Sequence, residues 1–255
     1  MGNLRSSSGL MLGAWCGVAN SYSTELICSA GVDWICIDTQ HGMVNYPDVL
    51  GMLQASALRN VPAIVRVPAA NDAAAMMRAL DAGAAGVLVP LVNTKADAEL
   101  AASACRYPPH GSRSWGPARA LPAGPGYSAA AANEHVLCAV QIETKEALEN
   151  LEAILSVDGI DMAFVGPTDL ALSMGLAPEP GPQAGEHLEA IAMIARASHE
   201  LGVRPGIYAG SADIATAYIE LGYDFVAVAN DAVLLREGVR SVVDVTRSRA
   251  RKAGD

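Results

Sequence analysis

Two carboxylates carry the clearest chemical signal in this sequence. Glu143 closes the apolar run LCAVQI as Gln141-Ile142-Glu143, and Asp169 lies in the turn Gly166-Pro167-Thr168-Asp169-Leu170 that follows the apolar run DMAFV. If those runs are adjacent parallel strands, about 4.8 Å apart, both carboxylates converge on one point. Two oxygen donors without a neighbouring Cys or His suit a hard divalent cation, Mg²⁺ or Mn²⁺ with Co²⁺ as a further candidate, more than Zn²⁺. The competing reading is local, with Glu143 capping the next helix and Asp169 complementing a helix N-terminus. The GPTDL turn feeds a short helix predicted over 168–174, where free N–H groups favour an anion. A 2-oxo acid fits such a site, since its carboxylate and ketone oxygens chelate a cation that then lowers the cost of enolate charge.

Three further residues extend that chemistry. His41, in Asp38-Thr39-Gln40-His41-Gly42, is the acid/base candidate, because imidazole titrates near neutrality and Asp38 stands three positions earlier, where it could orient the ring. Arg66 interrupts the apolar run AIVRV, and a buried guanidinium needs an anion: a substrate carboxylate or enolate, or else a structural carboxylate. Asp81 is out of place, for it ends a helix whose dipole it opposes and precedes the fourth strand at the end away from the predicted mouth. Trp15, Tyr208 and Asn230 end other predicted strands and are candidates to shape the pocket. The other histidines, His110, His135, His187 and His199, fall in loops or helices and read as surface residues.

The elements that must position these groups alternate along the chain. Short β-branched or apolar runs predict strands over 10–18, 34–38, 63–67, 86–90, 137–142, 161–165, 205–209 and 225–229. Ala/Leu-rich segments with helical spacing fall between and after them, around 22–30, 46–59, 72–82, 94–105, 144–155, 185–201, 211–221 and 231–250. Gly31, Gly83, Gly202 and Gly222 stand at helix stops. Strand then helix, eight times over, predicts a single α/β domain spanning 1–255: a (β/α)8 TIM barrel, with working residues at the C-terminal ends of its strands. An open doubly wound sheet is disfavoured because no Gly-rich phosphate turn follows the first strand. Two connections, 106–135 and 166–184, are long and rich in Pro and Gly, as functional loops are.

Composition narrows the partners. The chain has 255 residues, 51% of them apolar and 17% charged, which excludes disorder. A net charge of −10 and a pI near 4.9 have the wrong sign for gripping nucleic acid or anionic lipid. No run reaches the length of a membrane span. MGNLRS matches the short myristoylation pattern and GLMLGAWCGVA the apolar part of a signal peptide, but a buried first strand accounts for the run. Five cysteines, Cys16, Cys28, Cys36, Cys105 and Cys138, are odd in number, scattered and free of C-x-x-C, so they read as reduced core thiols of a cytoplasmic protein.

Taken together, DTQHG, VRVP, LDAGAAGVLVPLV, RYPPHGSRSWGPARA, QIET and GPTDL resemble the HpcH/HpaI family of class II pyruvate-dependent aldolases, in order, over about residues 11–245. The resemblance implies a homo-oligomeric barrel, often a hexamer with a swapped C-terminal helix, that makes or breaks a C–C bond beside a pyruvate-type enolate with a divalent metal. It implies Glu143 and Asp169 as metal ligands and Gln141, Thr168 and Asp169 as substrate contacts. By the same resemblance His41 is the base, Arg66 the group that stabilises enolate charge, and Asp81 the acid that raises the basicity of the histidine. Since the topology separates Asp81 from His41 by about a strand length, roughly 16 Å, Asp81 is expected to act across a subunit interface. Arg113 and Arg119 fall in the stretch resembling an acceptor-side loop. Thr39-Gln40 stands where several relatives with dicarboxylate substrates have Gly-Glu, so the acceptor pocket is expected to differ.

Two other functions fit the same barrel. A Schiff-base aldolase needs a desolvated lysine, and of Lys95, Lys145 and Lys252 only Lys145 stands near the predicted mouth. A non-catalytic carboxylate-binding barrel would be marked by a broken ligand pair or a missing base, and neither is broken here. The closing segment VRSVVDVTRSRARKAGD mixes apolar spacing with basic residues, as an exchanged interface helix or a plain surface helix would.

Overall fold

The computed structural model describes residues 3–121 and 126–252, so Met1 and Gly2 of the myristoylation pattern lie outside the described residues. Eight parallel strands close on themselves in sequence order: β1 (Met11–Cys16), β2 (Trp34–Asp38), β3 (Ala63–Arg66), β4 (Gly86–Val89), β5 (Leu137–Ile142), β6 (Met162–Val165), β7 (Arg204–Tyr208) and β8 (Phe225–Asn230). The helices are α1 (Ser21–Cys28), α2 (Tyr46–Leu58), α3 (Ala73–Asp81), α4 (Lys95–Cys105), α5 (Ala129–His135), α6 (Lys145–Glu149), α7 (Leu151–Leu155), α8 (Pro167–Ser173), α9 (Glu186–Glu200), α10 (Ala212–Glu220) and α11 (Asp231–Lys252). All eight expected strands are present. The single helix expected over 144–155 is interrupted at Asn150, whose side-chain amide donates to the Asn93 carbonyl at 2.9 Å while its backbone still bonds Glu146 and Ile154. The long 106–135 connection contains α5, capped by Ser128.

Strands read as near-continuous apolar runs because both faces are buried. One set of residues, Trp34, Cys36, Ile64, Leu88, Met162, Phe164 and Phe225, packs inside the barrel. The alternate set, including Ile35, Ile37, Val65, Val87 and Val140, packs outward against helical residues such as Met52, Leu53 and Met76. Large rings inside require glycine opposite them. Gly13 is in register with Trp34, and a Cβ there would overlap the indole, which itself stacks on Phe225 at 3.9 Å between centroids.

Ahead of β1 the chain covers the N-terminal mouth. Leu4 is fully buried in the interior cluster, and Arg204 at the start of β7 binds Asp224, Ser7 and the Gly9 carbonyl, holding the segment in place. The opposite, C-terminal mouth stays open and holds the site.

Beyond β8 the chain leaves its own barrel. Every residue from Leu234 to Arg251 on α11 is exposed, including Leu235, Val239 and Val242, which recur at helical spacing. Among the described residues no helix is long and apolar enough to cross a membrane. All five cysteines are buried and unpaired.

Candidate active site

The C-terminal mouth holds a cavity of about 520 Å³ lined by Trp15, Asp38, His41, Arg66, Gln141, Thr168, Asp169, Tyr208 and Asn230, among others. Its polar wall is built by the ends of β5 and β6. Gln141 pairs with Phe164 and Ile142 with Val165, which sets Glu143 level with Gly166. A Cβ at Gly166 would overlap Glu143 Oε2 and crowd Gln141 Nε2, so only glycine lets the carboxylate lie there. Thr144, not Glu143, caps the following helix by accepting from the Ala147 N–H at 3.0 Å. Glu143 is 2% exposed and lies directly behind Gly166 and Gln141, which line the cavity.

Two donors fix that carboxylate. Leu91 N–H reaches Oε1 at 2.9 Å, from a leucine held at φ 51°, and Gln141 Nε2 reaches Oε2 at 2.9 Å. Burial pushes the Glu143 carboxyl up to about 7; the Leu91 N–H and the Arg66 charge pull the other way, and the charge of Asp169 adds to the rise. Asp169 itself is exposed in the first turn of α8. A carboxylate whose charge is disfavoured by burial and by a second carboxylate is one that a divalent cation would relieve. Gln141 Oε1 is buried with no hydrogen-bond partner among the described residues, an acceptor awaiting a donor. Among the described residues no cluster of three or more His, Cys, Asp or Glu is assembled; Glu143 and Asp169 are the two carboxylates here that could hold a divalent cation.

Across the cavity, Asp38 does not hold the His41 ring as the sequence suggested. Its Oδ1 accepts from Arg66 Nε at 2.9 Å and its Oδ2 from Arg66 Nη2 at 2.6 Å, while Trp15 Nε1 adds a third bond at 3.1 Å. What Asp38 gives the loop is backbone order: the N–H groups of Gln40 and His41 donate to Oδ1 at 3.0 and 3.2 Å. Gly42 is required by this tight turn, because a Cβ would overlap the Asp38 carbonyl. The His41 side chain is thereby left exposed at the mouth, and no described residue bonds its ring. Arg66 is a paired guanidinium, yet its Nη1 has no partner among the described residues and its charge reaches Glu143. The Trp15 ring lies 4.9 Å beneath it and makes an edge contact with Tyr208 at 5.4 Å. Trp15, Tyr208 and Asn230 all line the cavity.

A family model described as HpcH/HpaI aldolase/citrate lyase matches residues 11–238. The chain belongs to the HpcH/HpaI aldolase family. This HpcH/HpaI chain is 41% identical over 238 residues to a hydroxypyruvate/pyruvate aldolase of Rhizorhabdus wittichii, covering 93% of this chain and 94% of that one. It is 42% identical over 238 residues to a 4-hydroxy-2-oxo-heptane-1,7-dioate aldolase of Klebsiella pneumoniae, covering 91% and 87%. The crystal structure of an HpcH/HpaI aldolase/citrate lyase family protein from Burkholderia cenocepacia superposes with a TM-score of 0.86 at 32% identity, covering 96% of this chain and 97% of that one.

Within this HpcH/HpaI barrel, His41, Arg66, Gln141, Glu143, Thr168 and Asp169 come together and Asp81 does not. Asp81 lies at the end of α3, 20% exposed, and accepts from Arg113 Nη2 at 2.8 Å. Arg119, in the same stretch, donates to the Ala82 and Leu53 carbonyls, so neither arginine reaches the cavity of its own barrel. Lys145 is exposed and absent from the cavity wall, and Lys95 is exposed and paired with Glu99. Leu91 acts on Glu143 through its backbone N–H, so its side chain carries no signal of the role in the sequence. His187, expected on the surface, is fully buried.

Proposed function

We propose that this chain is a divalent-metal-dependent aldolase, a carbon–carbon lyase that reversibly cleaves 4-hydroxy-2-oxo acids to pyruvate or hydroxypyruvate and an aldehyde. The observation that carries the reading is the Gly166 cradle, which seats Glu143 directly behind the cavity wall formed by Gly166 and Gln141 and within electrostatic reach of Asp169, while Arg66 and His41 line the same cavity. The aldolase names of both curated relatives support the same reaction class. Glu143 and Asp169 would hold Mg²⁺, Mn²⁺ or Co²⁺, which supplies Lewis acidity at the ketone oxygen when bound.

The remaining steps belong to the chain's own side chains. Gln141, Thr168 and Asp169 bind and orient the 2-oxo acid end. His41, exposed at the mouth, takes the 4-hydroxyl proton; the C3–C4 bond breaks, its electron pair passes to the enolate, and the new carbonyl leaves as the aldehyde. The free edge of Arg66, fixed from behind by Asp38, stabilises the enolate until C3 is protonated to give pyruvate. Addition is the same sequence reversed. Asp81 is assigned to the His41 of a neighbouring subunit, which its absence from the cavity wall of its own barrel and its partial exposure beside Arg113 support. The exposed stretch of α11 from Leu234 to Arg251 supports a homo-oligomer, a hexamer by resemblance, in which this helix docks on a second copy. Free, buried thiols fit a cytoplasmic setting.

Hydrogen–deuterium exchange at C3 of pyruvate and hydroxypyruvate tests the reaction without knowledge of the aldehyde. Exchange that requires Mg²⁺ or Mn²⁺ and stops with chelator is the expected result. Exchange that survives complete metal removal, together with a borohydride-trapped adduct at Lys145, would replace it with the Schiff-base mechanism, and no exchange under any metal would leave a non-catalytic carboxylate-binding barrel.

A further inference from the structure

His187 is the second residue of α9, on no wall of the catalytic cavity, and is fully buried. Both ring nitrogens are engaged. The Gln183 N–H donates to Nδ1 at 3.1 Å, so Nδ1 is an acceptor and the ring proton resides on Nε2. Nε2 lies 2.9 Å from the Pro167 carbonyl oxygen, to which that proton is donated. One side chain therefore ties Gln183, near the end of the Pro/Gly-rich 166–184 connection, to Pro167, which opens α8 at its start.

The Pro167 carbonyl shares a peptide unit with the Thr168 N–H. A trans peptide is planar, so the carbonyl and the N–H point in opposite directions, and holding one aims the other. The only cis peptide among the described residues joins Pro108 to Pro109, so Pro167–Thr168 is trans. The Thr168 N–H has no acceptor among the described residues, as expected in the first turn of a helix, and Thr168 and Asp169 line the cavity. We infer that His187 is a positioning residue: from outside the cavity it adds a second hydrogen bond to the Pro167 carbonyl, already engaged in the first turn of α8, and so reinforces the orientation of the Pro167–Thr168 peptide and with it the placement of Thr168 and Asp169 toward the 2-oxo acid. The inference rests on the aldolase reading for what Thr168 and Asp169 bind, but not for the contact itself. Gln141 Oε1, buried and unpartnered in the same cavity, is an independent mark that a ligand belongs beside this peptide.

The test compares His187→Phe, which keeps the ring volume and loses both bonds, with His187→Gln, which retains a donor and an acceptor. In the metal-free protein, amide hydrogen exchange of peptides spanning 166–174 is expected to be about 10-fold faster in the Phe variant and near wild type in the Gln variant. In the Mg²⁺-supplemented C3 exchange assay, the Phe variant is expected to raise KM for pyruvate about 10-fold with kcat within about 3-fold, and Gln to restore it. Unchanged amide exchange and KM in a folded Phe variant would overturn the inference. Absence of C3 exchange in the wild type would instead reject the reaction and leave the amide rates to decide on His187. Should the Phe variant not fold, the wild-type imidazole ¹⁵N spectrum decides: a proton on Nε2 is expected, and a proton on Nδ1 overturns it.

Discussion

Asp38 holds Arg66 by two parallel bonds along the Nε/Nη2 edge of its guanidinium, at 2.9 and 2.6 Å, with both side chains buried. The planar guanidinium thus presents one defined edge to the cavity instead of sampling rotamers. Removing the carboxylate leaves a buried cation unpaired, a change on the order of 3 kcal/mol. Asp38→Ala is therefore expected to lower Tm by roughly 10 °C and to raise KM for pyruvate at least about 10-fold. Thermal melts and initial rates check both, and an unchanged KM would show that Arg66 needs no anchor.

The same pair sets an acid limit. Burial pushes the Asp38 carboxyl up, but the Arg66 hydrogen bonds and charge, with those of Trp15 and the His41 N–H, outweigh it and hold the carboxyl below its ordinary 3.8. A depressed folded-state value adds stability that is present above 3.8 and lost as the pH falls through the folded value. Between pH 5 and 2, approximately, wild type should lose more Tm than Asp38→Asn.

Glu143 behaves in the opposite sense. Its carboxyl, raised from 4.5 to about 7 by burial, makes the metal-free fold less stable as pH rises through that interval, because the folded state keeps a proton the unfolded chain has lost. Binding a cation needs the ionised form, so Mn²⁺ affinity should climb between about pH 6 and 8, with about half a proton released near pH 7. Calorimetry in buffers of different ionisation enthalpy measures that release. Glu143→Gln should abolish both the binding and its pH dependence.

Gly166→Ala places a methyl group where Glu143 Oε2 lies. The expected result is a folded protein with Mn²⁺ binding and turnover each reduced at least about 100-fold. Normal Mn²⁺ affinity in this variant would remove the carboxylate pair from the metal site.

His41→Ala should retain Mn²⁺ binding and lose at least about 100-fold in aldol cleavage rate, within the range of a general base. Near-wild-type cleavage would hand the proton transfer to another group.

On α11, Leu235→Asp with Val239→Asp charges an exposed apolar stripe that its own barrel leaves uncovered. Light scattering should report a smaller particle than wild type if the helix docks on a second copy.

Much of this protein was legible without coordinates. The eight apolar runs were visible because strands buried on both faces admit few polar residues, and those they do admit, Asp38, Arg66 and Gln141, with Glu143 just beyond its strand, were conspicuous for that reason. Element order followed from the alternation, and the mouth followed from strand direction. What the sequence could not decide is which groups face each other across the barrel. Asp38 and Arg66 are on different strands, and only their register in the sheet, Asp38 beside Arg66, turned the expected histidine partner into an arginine clamp. The backbone contribution of Leu91 and the burial of His187 were hidden for related reasons. A main-chain N–H has no residue type to betray it, and a histidine on the second position of a helix is buried or exposed according to what packs over it. Sequence pattern determines the faces and ends of elements, since those repeat locally; partners between elements arise only when the barrel closes and distant residues compete for the same few hydrogen-bonding positions.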